Sequence, residues 1–296
     1  MISQVIDSFR QAFTKLIEQP KYLLILRLTL LLVLLHGPDE FTLSRLPEKI
    51  FSALMLFIPN LLIQRFMWLA LCTVLIINNI RFWFLYVNHE YLITYWCLVC
   101  LLAIYSSKPE QIMMWNAKLL LGLCFFLSTV WKFISGEYLD GSFLHATFLL
   151  DKRLEMGASL LGGLDSEVLT TNRQAFASMQ ANGVINEEVK LITSPLMSYL
   201  SLVFSYWTLL IEGVISMAFL SSIPKWLGKN RDWLLILFIV TTYPLIPVYS
   251  FAAMLCILGL AQCSMNEQKQ FNTYLMVCLL IPLWMPLPQA IFNLIS

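Results

Sequence analysis

Six apolar runs set the pattern along the chain, near residues 66–86, 90–107, 117–135, 196–222, 232–260 and 271–294. At about 1.5 Å per residue, α-helices of these lengths cross or nearly cross a hydrocarbon layer of about 30 Å. Two shorter runs, 22–37 and 50–64, are weaker spans, and Pro59 predicts a half-helix in the second. Pro244 and Pro247 interrupt the 232–260 run, and Pro282, Pro286 and Pro288 interrupt the last, so both are expected to kink. From Glu137 to Pro195 the pattern turns polar, with mixed charges and glycines at Gly157, Gly162, Gly163 and Gly183. That stretch is too long for a simple connector and keeps a helical patch from Thr170 to Gln180, which predicts an ordered cap lying across a membrane surface. Met1 to Lys21 spaces Asp7, Arg10, Lys15, Glu18 and Lys21 among apolar residues with no small-residue cleavage site after the first apolar run. It reads as a short amphipathic helix leading into a span, not as a removable signal peptide. There is no internal repeat and no low-complexity tract.

Composition narrows the solvent. Of 296 residues, 59% are hydrophobic and 12% charged, against about 45–50% and about 25% in soluble domains. So little polar surface cannot cover a water-facing exterior, and lipid is the expected partner for much of the chain. A formal net charge of +1 gives no electrostatic case for nucleic acid. The seven cysteines all fall in or beside apolar runs and read as lipid-buried thiols. Lys and Arg concentrate in cytoplasmic loops. With eight spans, Arg10, Lys15 and Lys21, then Arg65, then Lys108 and Lys118, then Lys225, Lys229 and Arg231 share one face; with seven the last cluster falls opposite the N-terminus. The expected fold class is therefore all-α: a polytopic integral membrane helical bundle of about eight transmembrane segments with an extramembrane helical cap. Its parts are an amphipathic N-terminal helix over 1–21, the N-terminal part of the bundle over 22–136, the cap over 137–195 and the C-terminal part over 196–296. The expected location is a plasma or inner membrane, with both termini cytoplasmic and the cap facing outward.

Ionisable side chains inside spans are costly unless paired or wet, so each is a functional candidate. They are Arg27, Arg81, Lys132 and Glu212, with His89 at a helix junction. His89 precedes the 90–107 span and Lys132 closes the 117–135 span, so the two share a membrane face whatever the count of earlier spans. Arg81 lies about two turns before Asn88 and His89, on the same side. Desolvation and neighbouring positive charge there favour a neutral amine, which makes Lys132 a candidate general base. The simpler reading of spacing alone is that Lys132 snorkels to the interface. Glu212 sits about 24 Å into its span from the cap side, a depth that suits an ion pair with Arg27 fixing helix packing, with a proton relay as the functional alternative. Cys97 and Cys100 have Cys-x-x-Cys spacing, but their place inside a span offers no electropositive, solvent-accessible setting, so a redox role is not expected. His36 and His145 have no partner at metal-ligand spacing, and no metal site is expected. The aromatic groups around Trp83, Phe84 and Tyr86, and around Trp226 and Trp233, read as interfacial belts.

Two segments carry a resemblance. Tyr86-Val-Asn88-His89-Glu-Tyr91-Leu92, opening a span, resembles the Asn-His-x-Tyr-Leu signature of the vitamin K-dependent γ-carboxylase membrane domain and its bacterial relatives, the HTTM (horizontally transferred transmembrane) proteins. About forty residues later, the stretch from Phe126 through Lys132 to Tyr138 and Gly141 is similar to that family's second signature, in which a membrane helix ends in a lysine followed by an aromatic and a glycine. The order and spacing agree over roughly residues 20–220. The resemblance implies Lys132 as the base that deprotonates a reduced quinone such as vitamin K hydroquinone, and His89 as the substrate-side partner. Arg81, Asn88, Tyr91, Tyr138 and Tyr206 are expected as neighbours of the substrate. The carboxylases follow their membrane part with a large extracytoplasmic domain, whereas Ser296 follows the last apolar run here, so recognition of propeptide-bearing substrates by that mode is not expected. Tyr206-Trp207 stands where the carboxylases show His-Trp, with Glu212 following where the wider family often has an acid.

Three functions are weighed on these grounds. The first is a membrane enzyme in which Lys132 acts on a lipid-soluble quinol-like or peptide substrate that His89 orients. The second is a non-catalytic maturation or export component whose cap docks a peptide or protein. A transporter is the weakest, because its broken helices belong in matching halves and the proline-interrupted runs crowd the C-terminal third.

Overall fold

The computed structural model describes residues 19–36, 42–86, 88–181, 190–221, 224–244, 246, 248–264 and 267–281. The chain is all-α, with twelve α-helices and no strand among those residues. They are α1 (Lys21–Leu35), α2 (Thr42–Phe57), α3 (Arg65–Arg81), α4 (Asn88–Tyr105), α5 (Pro109–Ser135), α6 (Ser142–Leu150), α7 (Glu155–Gly162), α8 (Ser166–Ala181), α9 (Pro195–Leu220), α10 (Lys225–Thr242), α11 (Tyr249–Gln262) and α12 (Gln268–Leu280). Two of them, α5 and α9, are long and apolar enough to cross a membrane, at 27 and 26 residues. The expected helix over 1–21 and the prolines of the last run, Pro282, Pro286 and Pro288, lie outside the described residues.

Proline placement decides where the apolar runs break. α2 stops at Phe57, and Pro59 opens a single 3-10 turn to Leu61, because a ring in place of N–H cannot continue the helix ladder. The 232–260 run, expected as one kinked helix, is two helices: α10 ends at Thr242, Pro244 follows, and α11 begins at Tyr249.

The chain divides into two compact units. The first comprises residues up to 121 together with 250–279. Its core holds Trp68 and Trp96, both fully buried, and each indole N–H is satisfied: Trp68 donates to the Leu62 carbonyl at 2.7 Å and Trp96 to Thr29 Oγ1 at 2.9 Å. Such pairing lets a large aromatic surface be buried without stranding its donor. Lys21 donates to the carbonyls of Ala261 (3.2 Å) and Cys263 at the end of α11, where helix carbonyls run out of intrahelical donors. Gly259 lets α12 approach closely, since a methyl placed there would lie 2.5 Å from the Tyr274 ring. Cys97 and Cys100 are both wholly buried free thiols, a setting without the access a redox pair needs.

The second unit comprises 122–249 and the chain beyond 279. Here the described residues of the 137–195 stretch are mostly helical, with a small core of their own from Leu144, Phe148, Leu149, Leu154 and Leu169, joined by Met197. Its turns follow local chemistry. Gly163 adopts φ +65 after α7, and the Asp151 carboxylate accepts from the Arg153 N–H. Asn172 holds the segment before α9 by bonding both the N–H and the carbonyl of Ile192 at 2.8 Å. Ser194 then caps α9, accepting from the Met197 N–H and donating to the Gly162 carbonyl, with Pro195 in the first turn. Met197, Leu200 and Phe204 pack into the cap core, so the first turns of α9 serve the cap.

Candidate functional site

The best-defined polar cluster of the second unit sits where α5 ends. Lys132 is in the last turn of α5, and its ammonium lies 2.5 Å from Glu212 Oε1 of α9. Ser128, one turn earlier on the same face, donates to the other oxygen, Oε2, at 2.9 Å. Both members of the ion pair are buried, Lys132 at 8% and Glu212 at 6% exposure. The amine is therefore turned inward to a carboxylate, and does not follow the snorkelling pattern.

The exit loop closes over this pair. Gly136, at φ +75, turns the chain after α5, and the Leu139 N–H bonds back to its carbonyl at 2.8 Å. The Tyr138 ring then lies with its centroid 4.8 Å from Lys132 Nζ, a cation–π contact, and stacks on Phe143 at 4.7 Å. Burial, helped by the nearby Glu212 and Glu137 carboxylates, pushes the Tyr138 phenol well above its ordinary value, so the ring stays neutral. Tyr206 anchors the loop from α9, donating to the Leu139 carbonyl at 3.0 Å. Gly141, at φ +78, faces the Leu202 backbone so closely that a methyl there would lie 3.0 Å from its Cα. Beyond Phe143 a shallow pocket of about 640 Å³ opens in the cap, lined mainly by Phe143, Ala146, Thr147, Leu150 and Phe176.

The structure corrects the partner expected for Glu212. Its carboxylate is taken by Lys132 and Ser128, while Arg27 donates to Gln19 Oε1 at 2.7 Å. The depth argument misled because it counted from the start of α9 as if the whole helix stood in the bundle, whereas its first turns pack into the cap core. Gly213, the next residue after Glu212, faces Thr129 of α5, with room for a methyl in ordinary contact at 3.7 Å.

The remaining predicted residues belong to the first unit. His89 opens α4 and packs edge-on to His36 and stacked on Phe251, each at 5.7 Å between centroids. His36, which has no partner at metal-ligand spacing in the sequence, has Nε2 2.7 Å from Glu90 Oε2 in space, and Arg45 holds the other Glu90 oxygen at 2.9 Å. Behind them, buried Glu48 accepts from Asn78 at 2.6 Å, and the Arg45 guanidinium lies over the Tyr86 ring at 4.8 Å. Arg81 lies over Phe82, Tyr91 donates to the Trp83 carbonyl at 2.8 Å, and Asn88 is exposed at the start of α4. Sequence reasoning missed Ser128, His36, Arg45, Glu48 and Glu90; only Ser128, four residues before Lys132, carried a local signal.

No family model matches the chain, and neither does any curated protein or solved structure.

Proposed function

We propose that this protein is a polytopic integral membrane enzyme in which Lys132 and Glu212 form a proton-transfer pair. The observation that carries the reading is a buried ammonium–carboxylate pair at the end of a span-length helix, covered by an aromatic ring. Within such a pair the proton can move from Nζ to Glu212, leaving a neutral amine and a neutral acid without creating net charge in a poorly hydrated site. The amine then accepts a proton from an O–H or C–H acid, and the Glu212 proton leaves afterwards, which is general base catalysis. A lipid-soluble quinol-like or peptide substrate fits this role, with a reduced quinone such as vitamin K hydroquinone implied by the resemblance to the carboxylase membrane domain and the HTTM proteins. The same resemblance assigns His89 to the substrate side.

The membrane reading has its own support. Only 28% of the apolar window of α5 is buried, whereas the core helix of a soluble protein would be largely enclosed. Leu127, Trp131 and Ile134 of that helix are all more than 60% exposed, a stripe at helical spacing that suits lipid. Eight spans, an outward cap and cytoplasmic termini in a plasma or inner membrane complete the proposed topology.

The test is hydroquinone consumption, with and without glutamyl peptides, by the purified full chain in lipid–detergent micelles. Lys132→Ala abolishes turnover while helical content by circular dichroism is kept; an active Lys132→Ala ends the proposal. A second reading, a non-catalytic component that docks a peptide or protein on the cap, draws on the apolar cap pocket. Under it, Phe176→Asp removes a stoichiometric partner from detergent pull-downs and Lys132→Ala has no effect.

A further inference from the structure

His36, His89 and Glu90 bring two imidazoles and a carboxylate together at the end of α1 and the start of α4. One ring nitrogen from each histidine and one Glu90 oxygen all lie within 4.8 Å of one another. His36 is the C-cap of α1, with its N–H bonded to the Leu32 carbonyl, so its position is set by the backbone. The ring is 92% buried; Nε2 lies 2.7 Å from Glu90 Oε2, and Nδ1 makes no hydrogen bond. A buried imidazole ordinarily finds a partner for each ring nitrogen, and Nδ1 here has none. A lone pair left this way, beside a second imidazole and a carboxylate, is short of an acceptor of electron pairs.

We infer that His36, His89 and Glu90 form a binding site for a divalent transition-metal ion, of the class that Zn²⁺ represents. Two nitrogens and one oxygen are the donor set such ions take, and three protein ligands leave a fourth position open to water or a bound molecule. The surroundings suit this role. Arg45 holds the Glu90 oxygen that His36 does not approach, which orients the carboxylate as the outer neighbours of metal ligands do. The buried Glu90 carboxylate supplies the anionic ligand that such an ion takes beside two imidazoles.

The experiment uses the full chain purified in mild detergent, stripped with a chelator and titrated with Co²⁺ as a spectroscopic stand-in. Visible d–d bands should saturate at one equivalent and be displaced by Zn²⁺. His89→Gln and His36→Gln should each abolish them, His145→Gln should leave them unchanged, and Arg45→Gln should weaken binding by about 10-fold to 100-fold. His89 is only partly buried, so its variant decides the matter even if His36→Gln fails to fold. Absence of bands, or bands that survive both histidine changes, overturns the site. Lys132→Ala retains full Co²⁺ binding on this inference, so its outcome is separate from that of the proton-transfer pair.

Discussion

In the first unit Glu90 is shared between His36 and Arg45, Arg45 also rests on Tyr86, and Glu48 close by is held by Asn78. In the second, Lys132 meets one carboxylate, and Glu212 meets one ammonium and one hydroxyl. Both clusters are buried, yet they answer the cost of burial differently. A network spreads each charge over several partners, so the loss of one contact leaves others in place. A lone pair is balanced only while both members are present, and its neutral form, amine plus acid, is balanced too. The network suits holding a charge still, or holding an ion; the pair suits moving a proton.

Removing one side of the pair should have the largest effect. Glu212→Leu leaves Lys132 buried and uncompensated, an expected loss of about 3–5 kcal/mol. The double variant Lys132→Met with Glu212→Leu should recover most of it, read from denaturation midpoints in detergent as a double-mutant cycle. In the network, Glu90→Gln should cost less, about 1.5–3 kcal/mol, because Glu48 still offsets Arg45. Equal losses in the two clusters would erase the distinction between them. A smaller change reaches the pair through its cover. Gly141→Ala forces a side chain into φ +78 against Leu202 and should cost about 1–2 kcal/mol by thermal melting, with a greater loss of turnover than of stability as the exit loop shifts.

The smallest effect is expected from His145 in the cap, which meets Thr193 at 2.7 Å. Burial lowers its affinity for a proton below the ordinary value of 6.5. The unfolded chain therefore binds the proton first as acidity rises, so this contribution is whole above pH 6.5 and fades as pH falls below it. His145→Gln should flatten that part of the pH–stability curve and leave both buried clusters as they were.

Long apolar runs made α5 and α9 legible, because an uninterrupted span of hydrophobic residues has few other solutions. Pro59 and Pro244 marked real breaks, since a missing donor acts locally. The loop after Lys132 was placed only by the family resemblance; in the structure Gly136 and Gly141, at φ +75 and +78, turn the chain with Tyr138 between them. The partner of Glu212 was not. Counting residues gives height along a helix, but which helices adjoin, and where each enters the bundle, depends on packing far away in sequence. The cluster of His36, Arg45, Glu48 and Glu90 was hidden likewise, as its members come from three helices and no spacing rule joins them.

Lys21 reaches the carbonyls of Ala261 and Cys263, 240 and 242 residues further along. The first unit is thus assembled from two separate stretches of the sequence, with residues 122–249 of the second unit lying between them along the chain. During synthesis residues 250–279 emerge only after the whole of 122–249, so a nascent chain truncated before them lacks the clasp between Lys21 and the end of α11.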